Sequence, residues 1–169
     1  AVITQRGGCT EYDGHCCERG LDLDLPDVAW RLRSPKGETV AMHIWPNDLL
    51  QELPLDQPDP VIRQRNGRPA YQIASLSDDV DLGIDFIVRG ADLLPSTLIQ
   101  LHLARVLDLK AFTEVRFLHH PLITDKHGGK LSKSHGAGSL KALREAGGEP
   151  GTVHVLADRL LRDAGVPIP

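Results

Sequence analysis

The chain has 169 residues and a formal net charge of -4 at pH 7; 41% of its residues are apolar and 25% are charged. This composition is typical of a globular protein with a packed core. It argues against a protein that holds nucleic acid by bulk positive charge, although local basic patches are compatible with it. No apolar run approaches the roughly 20 residues that cross a bilayer, so no membrane partner is expected.

Three cysteines, Cys9, Cys16 and Cys17, lie near the start of the chain. Adjacent Cys16 and Cys17 are poor disulfide partners, and no signal-peptide pattern precedes them. We therefore expect reduced thiols and a cytoplasmic location. The sequence begins at Ala1 without an initiator Met, and we expect it to be a fragment of a longer protein.

The first sixty residues are predicted to contain a loop, a β-hairpin and a connector. Residues 1–20 are rich in Gly and Cys, which favours a loop. Residues 28–33 alternate apolar and polar side chains, and Thr39–Ile44 is expected to pair with them across a turn at residues 34–37. Residues 45–60 contain four prolines, which favours an irregular connector over the surface.

The rest of the chain alternates strands and helices. The pattern predicts strands over residues 61–65, 84–88 and 114–118, and helices over residues 71–77, 96–107, 139–145 and 152–164. This order implies an α/β fold with parallel strand pairing. Ligands in such folds bind beyond the carboxyl ends of the strands, where Arg89 and the segment after residue 118 are expected to lie.

The helix predicted over residues 96–107 has the clearest local signals. Ser96 and Thr97 are residue types that cap helices, and we expect them to cap this one. Its predicted apolar face consists of Leu98, Leu101, Val106 and Leu107.

A basic, glycine-rich segment follows the last predicted strand. Its centre reads Lys130-Leu131-Ser132-Lys133-Ser134, so that two ammonium groups lie three residues apart. Two lysines on a flexible loop suit the stabilisation of negative charge on a polyphosphate during phosphoryl or nucleotidyl transfer. A solvated basic loop is the alternative for a lone Lys-x-x-Lys pattern.

Three stretches in this order resemble the glutamyl branch of class I aminoacyl-tRNA synthetases: residues 67–97, the HHPLI of residues 119–123, and the KLSKS of residues 130–134. KLSKS is similar to the second signature of that class. The opening GGCTEYDGHCCERG resembles the zinc-knuckle segment of those members that attach glutamate to the queuosine base of tRNA(Asp). Only 35 residues follow Ser134, too few for the anticodon-binding domain of the longer glutamyl-tRNA synthetases.

The resemblance implies a partial, Rossmann-like class I catalytic domain with a small zinc-knuckle and hairpin insertion. Residues 1–60 would be the remnant of that insertion, with connecting segments and a β-hairpin. Residues 61–169 would be the second half of the catalytic domain, with the KLSKS loop and C-terminal helices. The implied reaction is the activation of glutamate by ATP and Mg²⁺, followed by transfer of glutamate to tRNA.

By the same resemblance, Tyr71 and Arg89 would bind glutamate, Lys130–Ser134 would bind ATP, and Lys130 and Lys133 would stabilise charge as the glutamyl adenylate forms. A strand-end guanidinium is also suited to a bidentate grip on a carboxylate, with a tyrosine hydroxyl beside it as a neutral hydrogen-bonding group.

Each of these assignments has a structural alternative. Arg89 could form an ion pair with Asp85 or Asp92, and Tyr71 could be a core aromatic residue. Asp78 and Asp79 match an acidic pair of the family, but solvation of a helix end explains them equally well, and no catalytic role is assigned to them.

The zinc site that the resemblance implies is incomplete in this sequence. Tyr12 and Cys16 match two of the family's ligands, and the Cys-x-Cys pair that completes the set would precede Ala1. His15, Cys9 and Cys17 could in principle rebuild a site with Cys16, although adjacent cysteines are awkward tetrahedral ligands. Free thiols are the alternative to bound Zn²⁺.

The sequence also lacks the His-x-Gly-His signature with which class I enzymes hold ATP. Adenylate formation needs both phosphate-holding elements on one substrate, so we expect the chain alone to be inactive. It would then act with a complementing N-terminal half. The alternative is a non-catalytic module that binds tRNA, a nucleotide or a protein partner, including a second copy of itself.

Overall fold

The computed structural model describes residues 19–20, 22–34, 37–46, 49–55, 59–122 and 140–163. The strands in these ranges are β1 (Trp30–Arg31), β2 (Thr39–Ile44), β3 (Leu49–Pro54), β4 (Val61–Arg63), β5 (Phe86–Gly90) and β6 (Arg116–His120). The helices are α1 (Tyr71–Asp81), α2 (Leu94–Val106), α3 (Lys110–Thr113), α4 (Leu140–Glu145) and α5 (Pro150–Asp163), and a 3₁₀ turn covers Ala91–Leu93. None of the described helices is long and apolar enough to cross a membrane.

A four-stranded sheet in the order β3-β2-β6-β5 is the centre of the fold. β5 and β6 run parallel, from Phe86 opposite Arg116 to Gly90 opposite His120, and β2 also pairs in parallel with β6. Parallel neighbours need a crossover connection, which α2 and α3 provide between β5 and β6. The predicted α/β fold with parallel pairing is confirmed.

The hairpin in the first part of the chain contains different strands from those predicted. β2 pairs antiparallel with β3, from Thr39 opposite Pro54 to Ile44 opposite Leu49, whereas β1 pairs with β4. The predicted pairing of residues 28–33 with Thr39–Ile44 is therefore wrong. The irregular connector predicted over residues 45–60 is wrong as well, because it contains β3.

The connector prediction was wrong because it was based on the prolines around β3. β3 lies at the sheet edge, where a proline at the end of a strand costs no ladder hydrogen bond. Its side chains are also mostly exposed, so no alternation of apolar and polar residues marks it as a strand. β2 lies in the same sheet as β5 and β6. The division of the chain into residues 1–60 and residues 61–169 stays a prediction.

α2 is enclosed by the rest of the fold. Pro95 lies in its first turn, where its fixed φ suits a helix and its missing N–H removes no intrahelical bond. Eight consecutive residues, Thr97–Ala104, are buried, so the middle of the helix has no solvent-exposed face. A helix buried on all sides belongs to the core.

The start and end of α2 differ from the prediction. The helix begins at Leu94, directly after the 3₁₀ turn, and no side chain caps it. Thr97 lies inside the helix and donates its hydroxyl hydrogen to the Leu93 carbonyl at 3.2 Å. The predicted apolar face is also wrong at its C-terminal end, because Val106 and Leu107 are exposed.

The hydrophobic core lies between the sheet and helices α1 to α3. Phe112 and Phe117 are both almost fully buried and pack edge to face, with ring centroids 5.9 Å apart. β2 contributes Val40 and Met42 to the same cluster, which is why the first part of the chain folds onto the second. Aromatic pairs of this geometry stabilise a core beyond the area that they bury.

α4 and α5 confirm the two predicted C-terminal helices. α5 begins at Pro150, two residues before the predicted start, because proline is favoured in the first helical turn. Between the helices, Gly147 has a φ of +77°, which only glycine adopts without strain, and the Gly148 amide donates to the Leu143 carbonyl at 2.8 Å.

Candidate functional site

The candidate site lies at the carboxyl ends of β5 and β6. Arg89 and His119 are the penultimate residues of these strands and lie opposite each other in the sheet. The start of α1 reaches the same end, since the Gln72 side chain donates to the Ser96 hydroxyl in the first turn of α2 at 3.2 Å. This is the edge at which open parallel sheets bind ligands.

The Arg89 guanidinium lies between β5, α1 and α2. Its Nη1 donates to Thr97 Oγ1 at 3.3 Å and to Gln100 Oε1. Its Nη2 donates to Asp79 Oδ2 at 3.3 Å and to Ser75 Oγ at 3.5 Å. The Arg89 side chain is only 9% exposed, so the Asp79 carboxylate compensates a charge that water does not reach.

The structure contains the ion pair that was the alternative role for Arg89, but with a partner that the sequence did not suggest. Asp79 forms this ion pair, and Asp85 instead pairs with Arg116 at 3.5 Å. Solvation of a helix end therefore does not account for Asp79, although it is consistent with exposed Asp78. Ser75 and Asp79 are four residues apart on α1, a spacing that places both on one helix face.

Thr97 connects Arg89 to His119. Its hydroxyl accepts from Arg89, donates to the Leu93 carbonyl, and lies 3.0 Å from His119 Nε2. Because a hydroxyl has one hydrogen to donate, this arrangement assigns the proton of the imidazole to Nε2. The ring also stacks on Phe117.

The surroundings of His119 favour the neutral imidazole. Burial lowers the pKa of His119 from the ordinary value of 6.5, and the positive charges of Arg89 and His120 lower it further. In the described part of this edge, the Arg89–Asp79 ion pair therefore lies beside a neutral ring.

Two glutamines extend this network towards the start of α1. Gln100 is fully buried, and its Nε2 donates to the Gln72 carbonyl at 3.5 Å. Gln72 Oε1 is buried and accepts no hydrogen bond in the part of the chain that the structure describes. The sequence did not predict a role at the site for Gln72, Thr97, Gln100 or His119. Signals existed for three of them: Thr97 and Gln100 are polar residues inside the apolar helix α2, and His119 belongs to the HHPLI stretch.

Tyr71 is the first residue of α1, and it is 53% exposed. This exposure excludes the alternative in which Tyr71 is a core aromatic residue. Tyr71 lies at the same end of the fold as Arg89, because neighbouring Gln72 contacts the first turn of α2.

The remaining predicted site residues, Tyr12, Cys16 and Lys130–Ser134, lie outside the described residues. The ATP and zinc assignments therefore stay predictions. Among the described residues, no group of three or more His, Cys, Asp or Glu side chains could hold a metal ion.

Residues 29–160 match the model of the family described as tRNA synthetases class I (E and Q), catalytic domain. The glutamyl-Q tRNA(Asp) synthetase of Burkholderia mallei is 41% identical over 127 residues, which are 73% of this chain and 41% of that protein. The protein of the same name from Cupriavidus metallidurans is 40% identical over 161 residues, covering 90% of this chain and 50% of the relative. The chain thus spans about half the length, or less, of these curated relatives.

Solved structures similar to this chain include a glutamate tRNA ligase from Elizabethkingia meningosepticum in complex with its amino acid. It is 27% identical in sequence, with a TM-score of 0.47, over 63% of this chain and 21% of that one. The glutamate-tRNA synthetase of Elizabethkingia anophelis matches with the same TM-score and coverage at 25% identity.

Replacing Asp79 by alanine is expected to destabilise the fold, because it leaves the buried Arg89 charge without its carboxylate. We expect a loss of about 1.5–3 kcal/mol in the free energy of unfolding, measured with urea, since Asp79 is itself partly exposed. Asp78→Ala is the matched control, and its effect should stay within about 0.5 kcal/mol. Equal losses in the two variants would show that the Arg89–Asp79 ion pair does not contribute to the free energy of unfolding.

His119 is expected to make the fold less stable in mild acid. Its pKa is lowered in the folded state, so below about pH 6.5 the unfolded chain binds a proton that the folded chain does not. The His119 contribution is complete above that pH and is lost as the pH falls towards the folded-state pKa.

The measurement is the free energy of unfolding between pH 5.5 and 8. The His119→Gln variant should lose less stability on acidification than the unaltered chain does. His154→Gln, an exposed substitution on α5, is the control and should keep the pH dependence of the unaltered chain. An identical pH dependence in the His119→Gln variant would contradict the assignment.

Proposed function

The chain belongs to the class I tRNA synthetases of the E and Q type, and on that premise we propose that it takes part in glutamate activation and transfer. The reaction would consume ATP with Mg²⁺, form glutamyl adenylate and pass the glutamyl group to a tRNA. The names of the relatives at 40–41% identity support the queuosine base of tRNA(Asp) as the acceptor.

One observation carries the glutamate assignment: a single orientation is imposed on the Arg89 guanidinium at the ligand-binding edge of the sheet. Thr97 and Gln100 hold one terminal nitrogen, while Ser75 and Asp79 hold the other. A cation that is already oriented loses little conformational freedom when it binds a carboxylate. In this proposal, the glutamate carboxylate approaches from the strand end, where α1 begins with Tyr71, and replaces one of these four acceptors on the guanidinium.

Neutral His119 fits the same role. A second positive charge beside Arg89 would repel the guanidinium and alter its position, and the lowered pKa of His119 prevents this at neutral pH. Thr97 couples the position of His119 to that of Arg89, because its hydroxyl contacts both side chains. We assign His119 and Thr97 as positioning residues.

Lys130 and Lys133 are assigned to ATP through the KLSKS resemblance. Their ammonium groups would follow the negative charge that builds up as pyrophosphate leaves, while Arg89 holds the amino acid. The chain alone would lack the other element that holds ATP, so activity would require a complementing N-terminal half.

The burial of Arg89 also favours a second candidate function. The guanidinium already has four side-chain partners within the protein, an arrangement that a purely structural cation would share. In that case, the chain would be a non-catalytic module that binds tRNA, a nucleotide or a protein partner.

Glutamate-dependent exchange of pyrophosphate into ATP separates the two candidates. We expect no exchange with this chain alone, and exchange when the chain is joined to the N-terminal part of a matched relative. Lys133→Ala in the joined protein should lower the exchange rate by about 10²-fold or more. Joined protein that folds, binds ATP and shows no exchange with glutamate would favour the binding module.

Tyr71 supplies a test that leaves the fold intact. Because its ring is exposed, Tyr71→Phe should preserve stability and remove one neutral hydrogen bond to glutamate. In the joined protein we expect KM for glutamate to rise about 2- to 10-fold, with kcat nearly unchanged. Leu82→Ala, an exposed change at the other end of α1, should leave KM as it was. Parallel changes in both variants would reject the Tyr71 assignment.

A further inference from the structure

The turn between β4 and α1 contains the dipeptide Asn66-Gly67. Its sequence favours a tight turn, and Gly67 has a φ of +81°, which a residue with a side chain rarely adopts. Both residues are exposed to solvent. The proposed function gives neither of them a role. An exposed Asn-Gly pair nevertheless has a chemistry of its own, because the side-chain amide and the next backbone amide can react with each other.

The reaction needs no partner other than water. Hydroxide removes the proton from the Gly67 amide, and the nitrogen attacks Cγ of Asn66. The new N–Cγ bond closes a cyclic imide, the bond from Cγ to Nδ2 breaks, and Nδ2 takes a proton from water and leaves as ammonia. Water then opens the imide at either carbonyl carbon, which gives aspartate or isoaspartate at position 66. Both reacting groups belong to one dipeptide, so no bimolecular encounter is required, and glycine leaves the approach unhindered.

A backbone amide stabilises the charge that this attack creates. The Arg68 amide donates to Asn66 Oδ1 at 3.1 Å. Oδ1 is the atom that becomes negatively charged when Cγ is attacked, so this donor already points at the developing charge. A backbone N–H in that position acts as the donors of an oxyanion hole do. The turn thus polarises the Asn66 side chain before the reaction begins.

Positive side chains lie around the dipeptide. Arginines flank it on both sides, and residues 61–70 contain no acidic residue. The Arg63 guanidinium also reaches Gly67, since its Nη2 lies 3.4 Å from the point that a Cβ on Gly67 would occupy. The same guanidinium lies 4.9 Å from the centroid of the Trp30 ring, a contact that helps to hold it there. Nearby positive charge favours both the deprotonated amide nitrogen and the negatively charged intermediate.

One hydrogen bond opposes the reaction. The Gly67 amide donates to the Gln64 carbonyl at 3.0 Å, so its proton is held until this bond opens. Hydrogen bonds of exposed turns open locally at little cost in free energy, without unfolding of the core. The turn can therefore react while the rest of the fold stays intact.

We propose that Asn66 is a site of spontaneous deamidation in the folded chain, and that the modification alters the connection between β4 and α1. The turn supplies the attacking amide, the donor to Oδ1 and the positive surroundings. The proposal does not depend on the proposed function, because neither glutamate nor ATP takes part in the reaction.

The two products differ in their effect on the fold. Aspartate keeps the backbone unchanged and offers the Arg68 amide a carboxylate, which is a stronger acceptor than an amide oxygen. Isoaspartate adds a methylene group to the main chain of the turn. Only the second product therefore changes the length of the connection.

The extra length acts on a segment with a fixed register. The Gln64 amide donates to the Arg68 carbonyl at 2.8 Å, and the Ala70 amide donates to the Ile62 carbonyl at 2.9 Å. Buried Ala70 leads directly into Tyr71, the first residue of α1. A longer turn breaks these bonds or displaces the start of α1, so isoaspartate destabilises the fold.

The test follows the whole chain during incubation at mildly alkaline pH. Peptide mapping by mass spectrometry detects conversion of the Asn66 amide into an acid, and labelling by protein isoaspartyl methyltransferase identifies the isoaspartate fraction. The rate should rise in proportion to the hydroxide concentration. Asn66→Gln, whose longer side chain closes a ring less readily, should lower the rate by about 10-fold or more. Equal rates in the two proteins would overturn the proposal.

A second comparison tests the positive surroundings. Arg65→Gln/Arg68→Gln should slow the conversion about 2- to 5-fold, since it removes exposed positive charge beside the dipeptide. Arg159→Gln/Arg162→Gln on α5 is the matched control, because it removes the same charge at exposed positions elsewhere, and it should leave the rate unchanged. Equal rates in the two double variants would overturn the part assigned to the arginines.

Asp79→Ala separates reaction in the folded chain from reaction after global unfolding. This variant is expected to be less stable, so a reaction that requires global unfolding would become faster in it. We expect a rate within about 2-fold of that of the unaltered chain, because local opening of the turn does not require loss of the Arg89–Asp79 ion pair. A rate that rises in step with the loss of stability would overturn the proposal.

The consequence for the fold is measured on the separated products. Asn66→Asp reproduces the aspartate product and should unfold at the same urea concentration as the unaltered chain. The isoaspartate fraction, purified after incubation, should unfold at a lower urea concentration. Equal midpoints for all three proteins would overturn the expected effect on the connection between β4 and α1.

Discussion

The ion pair between Arg89 and Asp79 is the interaction on which the arrangement of the site depends. It joins β5 to α1, and the bonds from the same guanidinium to Thr97 and Gln100 add α2. A charge that is 9% exposed must be matched by nearby polar groups, or the fold loses the free energy of its hydration. The two helices are therefore held in the one position that surrounds Arg89 with acceptors.

The same constraint determines the electrostatics at the carboxyl ends of β5 and β6. Burial and the charge of Arg89 lower the pKa of His119, and Thr97 touches both residues, so the described part of this edge contains the Arg89–Asp79 ion pair beside a neutral ring. In the proposed function, one carboxylate of glutamate is the ligand at that position. Larger anionic groups, such as the phosphates of ATP, would need cations from elsewhere, which is the role proposed for Lys130 and Lys133.

The sequence by itself determined the family, the α/β class, strands β5 and β6, helices α1, α2, α4 and α5, and the turn at Asn66-Gly67, because each of these depends on local patterns or short motifs. It also indicated Arg89 and Tyr71 as candidate site residues. Only the tertiary structure decided that β3 pairs with β2 and β1 with β4, since β3 is an exposed edge strand with no alternation of apolar and polar residues. The partner of Arg89 was likewise decided by packing: Asp85 and Asp92 are nearer in the chain, but α1 folds back along β5 and brings Asp79 to the guanidinium.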